Sequence, residues 1–390
     1  MQTDYELSYI INQLGEDREN YFNAVAPPVI QTSSFAFKTV ADMRQGMKHE
    51  DEIPFYTRGA NPTTDILRKK MAALENTEDC LAFASGSAAI AAGILAFLKQ
   101  GDHVVCVDKP YSWTKKLLVE WLPRFGVQTT FVDGKDPENF RKAIRPETRL
   151  FYLESPNSWT FEIQDFRAIT AIAKEHGLVT LADNSYASPV NMNPADYGVD
   201  VILHSATKYI SGHSDSVAGI LCSSKEITTR IFKSEFMTLG GVISPFNAWL
   251  LLRGLRTPPV RMTRIAETTM QIVNYMSSHP KVETIYYPFS KSHPQYDLAC
   301  RQMKRGGGQF TIALKTSDPD EVEKFCNSLK RFLLAASWGS YESLVFPAIT
   351  QADSMNYSKG ALPLNFIRFY IGLEDPGYLI EDLNQALSKI

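Results

Sequence analysis

Between about residue 62 and residue 205, short apolar runs rich in Val, Ile and Leu alternate with segments whose apolar positions recur on a helical period. Pro62-Thr63-Thr64-Asp65 is a helix-start signal, after which Leu67, Met71 and Leu74 share one face. A short apolar run then ends in Ser85-Gly86-Ser87, and an alanine-rich helical stretch continues to Leu98. Gly101-Asp102 marks a turn, and His103–Val107 predicts a short buried strand. Further strands are expected over Leu150–Leu153, Leu178–Ala182 and Val201–Leu203, with a helix over Phe166–Glu175. This alternation predicts βαβ units and a parallel sheet covered on both faces, an α/β fold. From Pro245 the pattern turns helical over Phe246–Leu255 and Arg261–Ser277. Strands at Phe310–Leu314 and Phe366–Ile371 then alternate with helices at Asp320–Leu329 and Tyr378–Leu387, which predicts a smaller α/β domain. The first ~50 residues are weakly periodic, are interrupted by Pro27-Pro28, and read as an arm or cap rather than a core element. The predicted organisation is an N-terminal arm (1–55), a large domain (56–245) and a C-terminal domain (246–390).

Composition narrows the function. The 390 residues carry 40 Lys+Arg against 43 Asp+Glu, so no overall basic field favours nucleic acid. No run approaches the ~18 apolar residues of a membrane span, and the N-terminal MQTDYELSYI lacks the pattern of a secretory signal. Cys80, Cys106, Cys222, Cys300 and Cys326 are scattered without a CxxC pair, as expected for free thiols in a reducing compartment. The seven histidines show no HxxxH or HExxH spacing, so a metal is not expected. A cytoplasmic enzyme is the bounded expectation.

Ligands of open parallel sheets gather at the carboxyl ends of the strands, and three features fall there. Ser85-Gly86-Ser87 opens a helix, where small residues and free N–H groups suit a phosphate or simply make a strand-to-helix turn. Neither GxGxxG nor the P-loop pattern is present. Asp183 directly follows a strand; it reads as a turn residue, or as the carboxylate that keeps a cationic ring nitrogen protonated. Ser205-Ala206-Thr207-Lys208 follows another strand. A lysine there is a surface residue, or an amine nucleophile whose flanking hydroxyls bind phosphate. Taken together, a ring-nitrogen carboxylate, an amine and a phosphate turn form the set that pyridoxal 5'-phosphate requires. His204 and His213 flank the lysine motif, and packing or loop hydrogen bonds explain them better than acid–base work.

From about Tyr56 to the C-terminus the chain resembles the cysteine/methionine-metabolism (trans-sulfuration) family of fold-type I pyridoxal-phosphate enzymes. The resemblance rests on Tyr56-Thr57-Arg58-Gly59-Ala60-Asn61-Pro62-Thr63, on Ser85-Gly86-Ser87, on Tyr111, on Ser205-Ala206-Thr207-Lys208-Tyr209 through Asp215, and on Ser244–Leu255. It implies a large, mostly parallel-sheet domain in three-layer packing with a smaller C-terminal domain. It further implies Lys208 as the covalent anchor of the cofactor and the base, with Tyr111 and Tyr56 as further catalytic groups. Tyr56, Arg58, Ser85, Gly86, Ser87, Tyr111, Asp183, Ser205, Thr207 and Lys208 would bind the cofactor, Tyr111 by stacking on its ring. Tyr56 and Arg58 would reach it from a neighbouring subunit, which implies a homodimer with shared sites, paired into a homotetramer. Ser337 and Arg368 would hold the substrate α-carboxylate, with Trp338 beside them.

Two segments resemble bacterial cystathionine β-lyases in particular: Glu154-Ser155-Pro156-Asn157-Ser158-Trp159-Thr160, where many relatives have Pro-x-Asn-Pro, and Ser337-Trp338-Gly339-Ser340-Tyr341-Glu342-Ser343-Leu344, in which Trp338 matches a β-lyase trait. Ser158 thus stands where an asparagine usually contacts the cofactor's phenolic oxygen. The expected substrate is a small sulfur amino acid, and the expected reaction converts L-cystathionine to homocysteine, pyruvate and ammonia. Cystathionine γ-synthase, cystathionine γ-lyase and methionine γ-lyase are the alternatives, and Trp113 beside Tyr111 alters the distal pocket on which they differ. A non-catalytic cofactor-binding regulator is the remaining alternative; the complete set of Tyr56, Arg58, Tyr111, Asp183, Lys208 and Arg368 speaks against it.

Overall fold

The computed structural model describes residues 4–352 and 362–390. Seven strands form the larger sheet: β1 (Asp79–Phe83), β2 (His103–Val107), β3 (Gln128–Val132), β4 (Thr148–Glu154), β5 (Val179–Asp183), β6 (Val201–Ser205) and β7 (Gly219–Ser223). Their order is β1-β7-β6-β5-β4-β2-β3. β7 runs antiparallel to both β1 and β6, and the remaining pairs are parallel. Six strands therefore point the same way, so the carboxyl ends of β1, β2, β4, β5 and β6 share one edge.

Strand periodicity builds the layers. Val105, Val107, Phe151 and Leu153 enter one core cluster, whereas Val104, Cys106, Leu150 and Tyr152 enter another on the opposite face. Helices cover both faces, and their starts are written locally. Asn61 accepts from the Thr63 N–H ahead of helix Pro62–Leu74, Ser85 from Ala88 ahead of Gly86–Leu95, and Asp165 from Ala168 ahead of Phe166–Glu175. The Gly86–Leu95 helix is made of small residues and lies close on the sheet. A Cβ at Gly93 would sit 3.3 Å from Leu181 and from Leu221.

The smaller sheet contains β8 (Val282–Tyr286), β9 (Gln309–Leu314), β10 (Leu333–Leu334), β11 (Leu344–Pro347) and β12 (Phe366–Tyr370), in the order β10-β11-β12-β9-β8. One face packs Phe310, Ile312, Leu314, Val345, Ile367 and Phe369 against helices Pro258–Ser277, Pro319–Ser328 and Pro376–Leu387. Among the described residues no helix is long and apolar enough to cross a membrane.

Three differences from the sequence reading have physical causes. The N-terminal segment does contribute to the core: helix Asp4–Asn12 buries Ile10 and Ile11 in the large-sheet cluster. It is pinned by the buried Lys70 ammonium, which bonds the Ile10 carbonyl at 2.8 Å and pairs with Glu16 at 3.0 Å. β3 was not expected, because an edge strand of Gln, Thr, Thr, Phe and Val lacks a continuous apolar run. β7 was not expected either, and it introduces the antiparallel element into an otherwise parallel sheet.

β7 also positions the first site element. A Cβ at Gly219 would stand 2.1 Å from the Ser85 carbonyl oxygen, so only glycine lets the Ser85-Gly86 turn lie against this strand. Gly219→Ala is expected to lower stability by about 1–3 kcal/mol in chemical denaturation and to reduce cofactor retention. Gly241→Ala, whose Cβ would meet only Ala88 at 3.2 Å, should do less of both.

Candidate active site at the strand ends

β4 and β5 are in register at their last residues, so Glu154 and Asp183 lie side by side. Both carboxyls are buried, at 6% and 8% exposure. Burial raises both pKa values, and the negative charge of Asp183 lifts Glu154 further, to about 8. Asp183 is drawn back down by Ser185, whose N–H donates to it at 2.9 Å, and by the nearby His204 imidazole and Lys208 amine. At neutral pH Glu154 therefore keeps its proton, while the contacts around Asp183 favour that group's charged form. Glu154 accepts from the Tyr111 N–H at 2.5 Å and from the Ser158 hydroxyl at 3.3 Å.

His204 is buried behind Asp183, where Nε2 lies 2.5 Å from Glu75 Oε1. The same oxygen accepts from Asn184 Nδ2 at 2.9 Å.

Lys208 extends from the turn after β6. Its Nζ donates to Ser337 Oγ at 2.6 Å and lies 5.5 Å from the Trp338 ring centre. Burial, and then the positive charge of Arg368, bring its pKa down to about 8. Trp338 packs edge-on against Tyr209 with ring centres 5.4 Å apart. Arg368 projects from β12. Its neighbours Ile367 and Phe369 enter the core, so alternation turns the guanidinium to the opposite face, toward Lys208 and Glu154. Burial lowers its pKa to about 10.

Ser85, Gly86 and Ser87 open the Gly86–Leu95 helix, whose first N–H groups have no intrahelical acceptor. A Cβ at Gly86 would meet Ser205 at 3.0 Å, so the phosphate turn and the lysine motif are in contact. Tyr111 lies at the start of the short helix after β2, half-exposed, with its phenol near Ser87 and its pKa raised by burial. The Thr207 hydroxyl, beside Ser205 and Lys208, bonds the Ala218 carbonyl at 3.3 Å and accepts from the Ala218 N–H at 3.1 Å.

The fold therefore brings Ser85, Gly86, Ser87, Tyr111, Asp183, Ser205, Lys208, Ser337, Trp338 and Arg368 to one edge. Tyr56 and Arg58 stand apart. Both are exposed, the Arg58 guanidinium lies 5.3 Å from the Tyr56 ring centre, and no bond among the described residues ties them to Lys208. The sequence reading missed Glu154 as a site residue; its position as the last residue of a strand, the same placement that singled out Asp183, would have found it.

The chemistry of this edge fits a phosphorylated pyridine. The glycine cradle and helix start suit the phosphate, the buried Asp183 carboxyl suits a protonated ring nitrogen, and Lys208 is an amine of lowered pKa. These traits on a mostly parallel three-layer scaffold define a pyridoxal-phosphate-dependent enzyme of fold type I. Residues 9–388 match the family model described as Cys/Met metabolism PLP-dependent enzyme. The chain is 37% identical to the L-methionine gamma-lyase of Treponema denticola over 379 residues, 95% of this chain and 94% of that one. It is 37% identical to the cystathionine gamma-lyase of Bacillus subtilis over 372 residues, 94% of this chain and 95% of that one. The crystal structure of metB from Corynebacterium glutamicum superposes with a TM-score of 0.92 at 32% identity, covering 98% of each chain. The chain belongs to the Cys/Met metabolism family of PLP-dependent enzymes.

The lowered lysine pKa gives a direct test. In cofactor-free protein, reductive methylation of Lys208 read by mass spectrometry should rise with pH around a midpoint of about 8. Arg368→Met removes a repelling cation and should move that midpoint upward, whereas Asp183→Asn removes an attracting anion and should move it downward.

Proposed function

We infer that this chain is a carbon–sulfur lyase acting on a thioether amino acid, with cystathionine β-elimination as its specific reaction. The observation that carries the lyase reading is the Lys208 amine, lowered to about 8 and hydrogen-bonded at 2.6 Å to Ser337 beneath Arg368's charge. When bound, pyridoxal phosphate supplies an electron sink for the electrons of the substrate Cα–H bond. Lys208 would hold that cofactor, with Asp183 on its ring nitrogen and Ser85, Gly86, Ser87 and Ser205 around its phosphate. Tyr56 and Arg58, exposed in this chain, would complete the phosphate site of a partner subunit, Arg58 by the fork geometry of its guanidinium.

The remaining roles follow from charge and proton inventory. Arg368 and Ser337 orient the substrate carboxylate, which presents Cα to the Lys208 amine. The neutral amine takes the Cα proton, and Trp338 restricts its swing. Tyr111 stays protonated because burial raises its pKa, so its phenol holds a proton for the departing sulfur. For β-elimination these steps suffice. γ-Elimination needs a second proton loss at Cβ, which the same lysine can perform, so the catalytic set serves both. The resemblance of the Glu154–Thr160 and Ser337–Tyr341 segments to β-lyases supports the first reading. The names of the Treponema and Bacillus relatives, both gamma-lyases, support γ-elimination as a second.

Purified protein incubated with L-cystathionine should release pyruvate and homocysteine; 2-oxobutyrate with cysteine would instead make the γ reading correct. Lys208→Ala should reduce either product by at least about a hundredfold, and full activity in that variant would end the lyase reading. For the shared site, Arg58→Ala and Lys208→Ala should each be inactive alone. Hybrids refolded from a mixture should regain activity, because one of their two sites is intact, and absence of recovery would exclude a site shared between subunits.

A further inference from the structure

Arg368 is held by ring faces. Among the described residues it forms no ion pair and donates no hydrogen bond; its guanidinium carbon lies 5.1 Å from the Trp159 ring centre and 5.2 Å from that of Phe346. The two rings come from different parts of the molecule. Phe346 is the cross-strand register partner of Arg368 in the β11/β12 pair, so both side chains share one face of the smaller sheet. Trp159 arrives from the large sheet, on the segment that leaves β4 at Glu154. Its ring lies 5.7 Å from Phe346, tilted by 36°, and packs against the cluster of Ala313, Ala348 and Phe366. Trp159 thus spans the seam between the sheets and presses the guanidinium toward its own strand neighbour.

We propose that Trp159 is a positioning residue for the substrate carboxylate, acting through Arg368; the inference rests on the reading of Arg368 as the carboxylate holder. A guanidinium lying against aromatic faces keeps its N–H rim free, and that rim is what a carboxylate engages with two parallel hydrogen bonds. An arginine side chain has several rotatable bonds, and the rings remove that freedom before substrate arrives, so less is lost on binding.

The test uses the cofactor-loaded enzyme and two ligands that carry no sulfur to eliminate: L-norleucine, and pentylamine, its decarboxylated counterpart. Binding is read from the shift of the cofactor absorption band. Trp159→Ala is expected to weaken norleucine about tenfold, while Trp159→Phe recovers to within about threefold. Pentylamine, which gives Arg368 nothing to hold, should bind all three proteins alike. Equal weakening of both ligands would show a general packing role and overturn the proposal, as would unchanged norleucine binding in Trp159→Ala. Arg368→Leu separates the two readings. If it leaves norleucine binding intact, the carboxylate assignment itself fails. If it weakens norleucine while Trp159→Ala does not, only the Trp159 inference falls.

Discussion

Two carboxyl groups buried side by side cannot both remain charged, and the parallel register of β4 and β5 forces this situation on Glu154 and Asp183. The surroundings resolve it asymmetrically. Asp183 has hydrogen bonds from Ser185 and the positive charge of Lys208 near it, and Glu154 has a backbone N–H, a serine hydroxyl and the more distant Arg368 guanidinium. The proton therefore stays on Glu154, whose pKa lies at about 8. The lysine whose charge helps to stabilise Asp183 is itself brought down to about 8 by burial and by Arg368. One acid thus stays neutral and one amine lies within reach of deprotonation.

That distribution depends on the smaller sheet staying registered against the larger one, because Arg368 and Ser337 belong to the former and Lys208 to the latter. Glycines make the close approach possible. A Cβ at Gly339 would stand 2.7 Å from the Lys208 carbonyl carbon, so the turn after Ser337 lies directly on the lysine backbone. Gly254, at the end of helix Pro245–Gly254, would place a Cβ 2.3 Å from the Ser211 carbonyl oxygen. Arg261, in the helix that follows, then donates to the Tyr209 carbonyl at 2.8 Å and to the Gly254 carbonyl at 3.2 Å. The lysine segment is bound on several sides by backbone contacts that tolerate no added carbon. Ser337 takes a positive φ of 98° to bring its hydroxyl to Nζ, a local strain of about 1–3 kcal/mol that the surrounding contacts hold in place.

Much of this was legible in the amino-acid sequence, for identifiable reasons. Strands buried on both faces are continuous apolar runs, so His103–Val107 appeared with its ends in place and β4, β5 and β6 within a few residues. Strand-end residues announce the site because the chain must turn there, which exposed Asp183 and Lys208. Edge strands carry no such signature: β3 is largely polar, and β10 is two exposed leucines paired only with β11. Glu154 was overlooked because attention fell on the residues after it, and its chemistry comes from a neighbour on another strand. Trp159 and Arg368 are far apart in the chain, and nothing local to either predicts that one would cover the other.

The absence of a carboxylate clasping Arg368 follows from the same asymmetry. On the proposed role of Arg368, a charged acid in contact with the guanidinium would have to be displaced by every incoming substrate carboxylate, and the exchange would weaken binding. The acid that acts on the guanidinium is Glu154, and burial, then the charge of Asp183, raise its pKa to about 8. A neutral Glu154 leaves the positive charge uncompensated at neutral pH, and aromatic faces can stabilise such a cation without occupying its N–H rim. Were Asp183 neutral, Glu154 would ionise more readily and compete for Arg368. Asp183, through its effect on the Glu154 proton, therefore helps to keep the Arg368 rim open, and the two ends of the site are coupled.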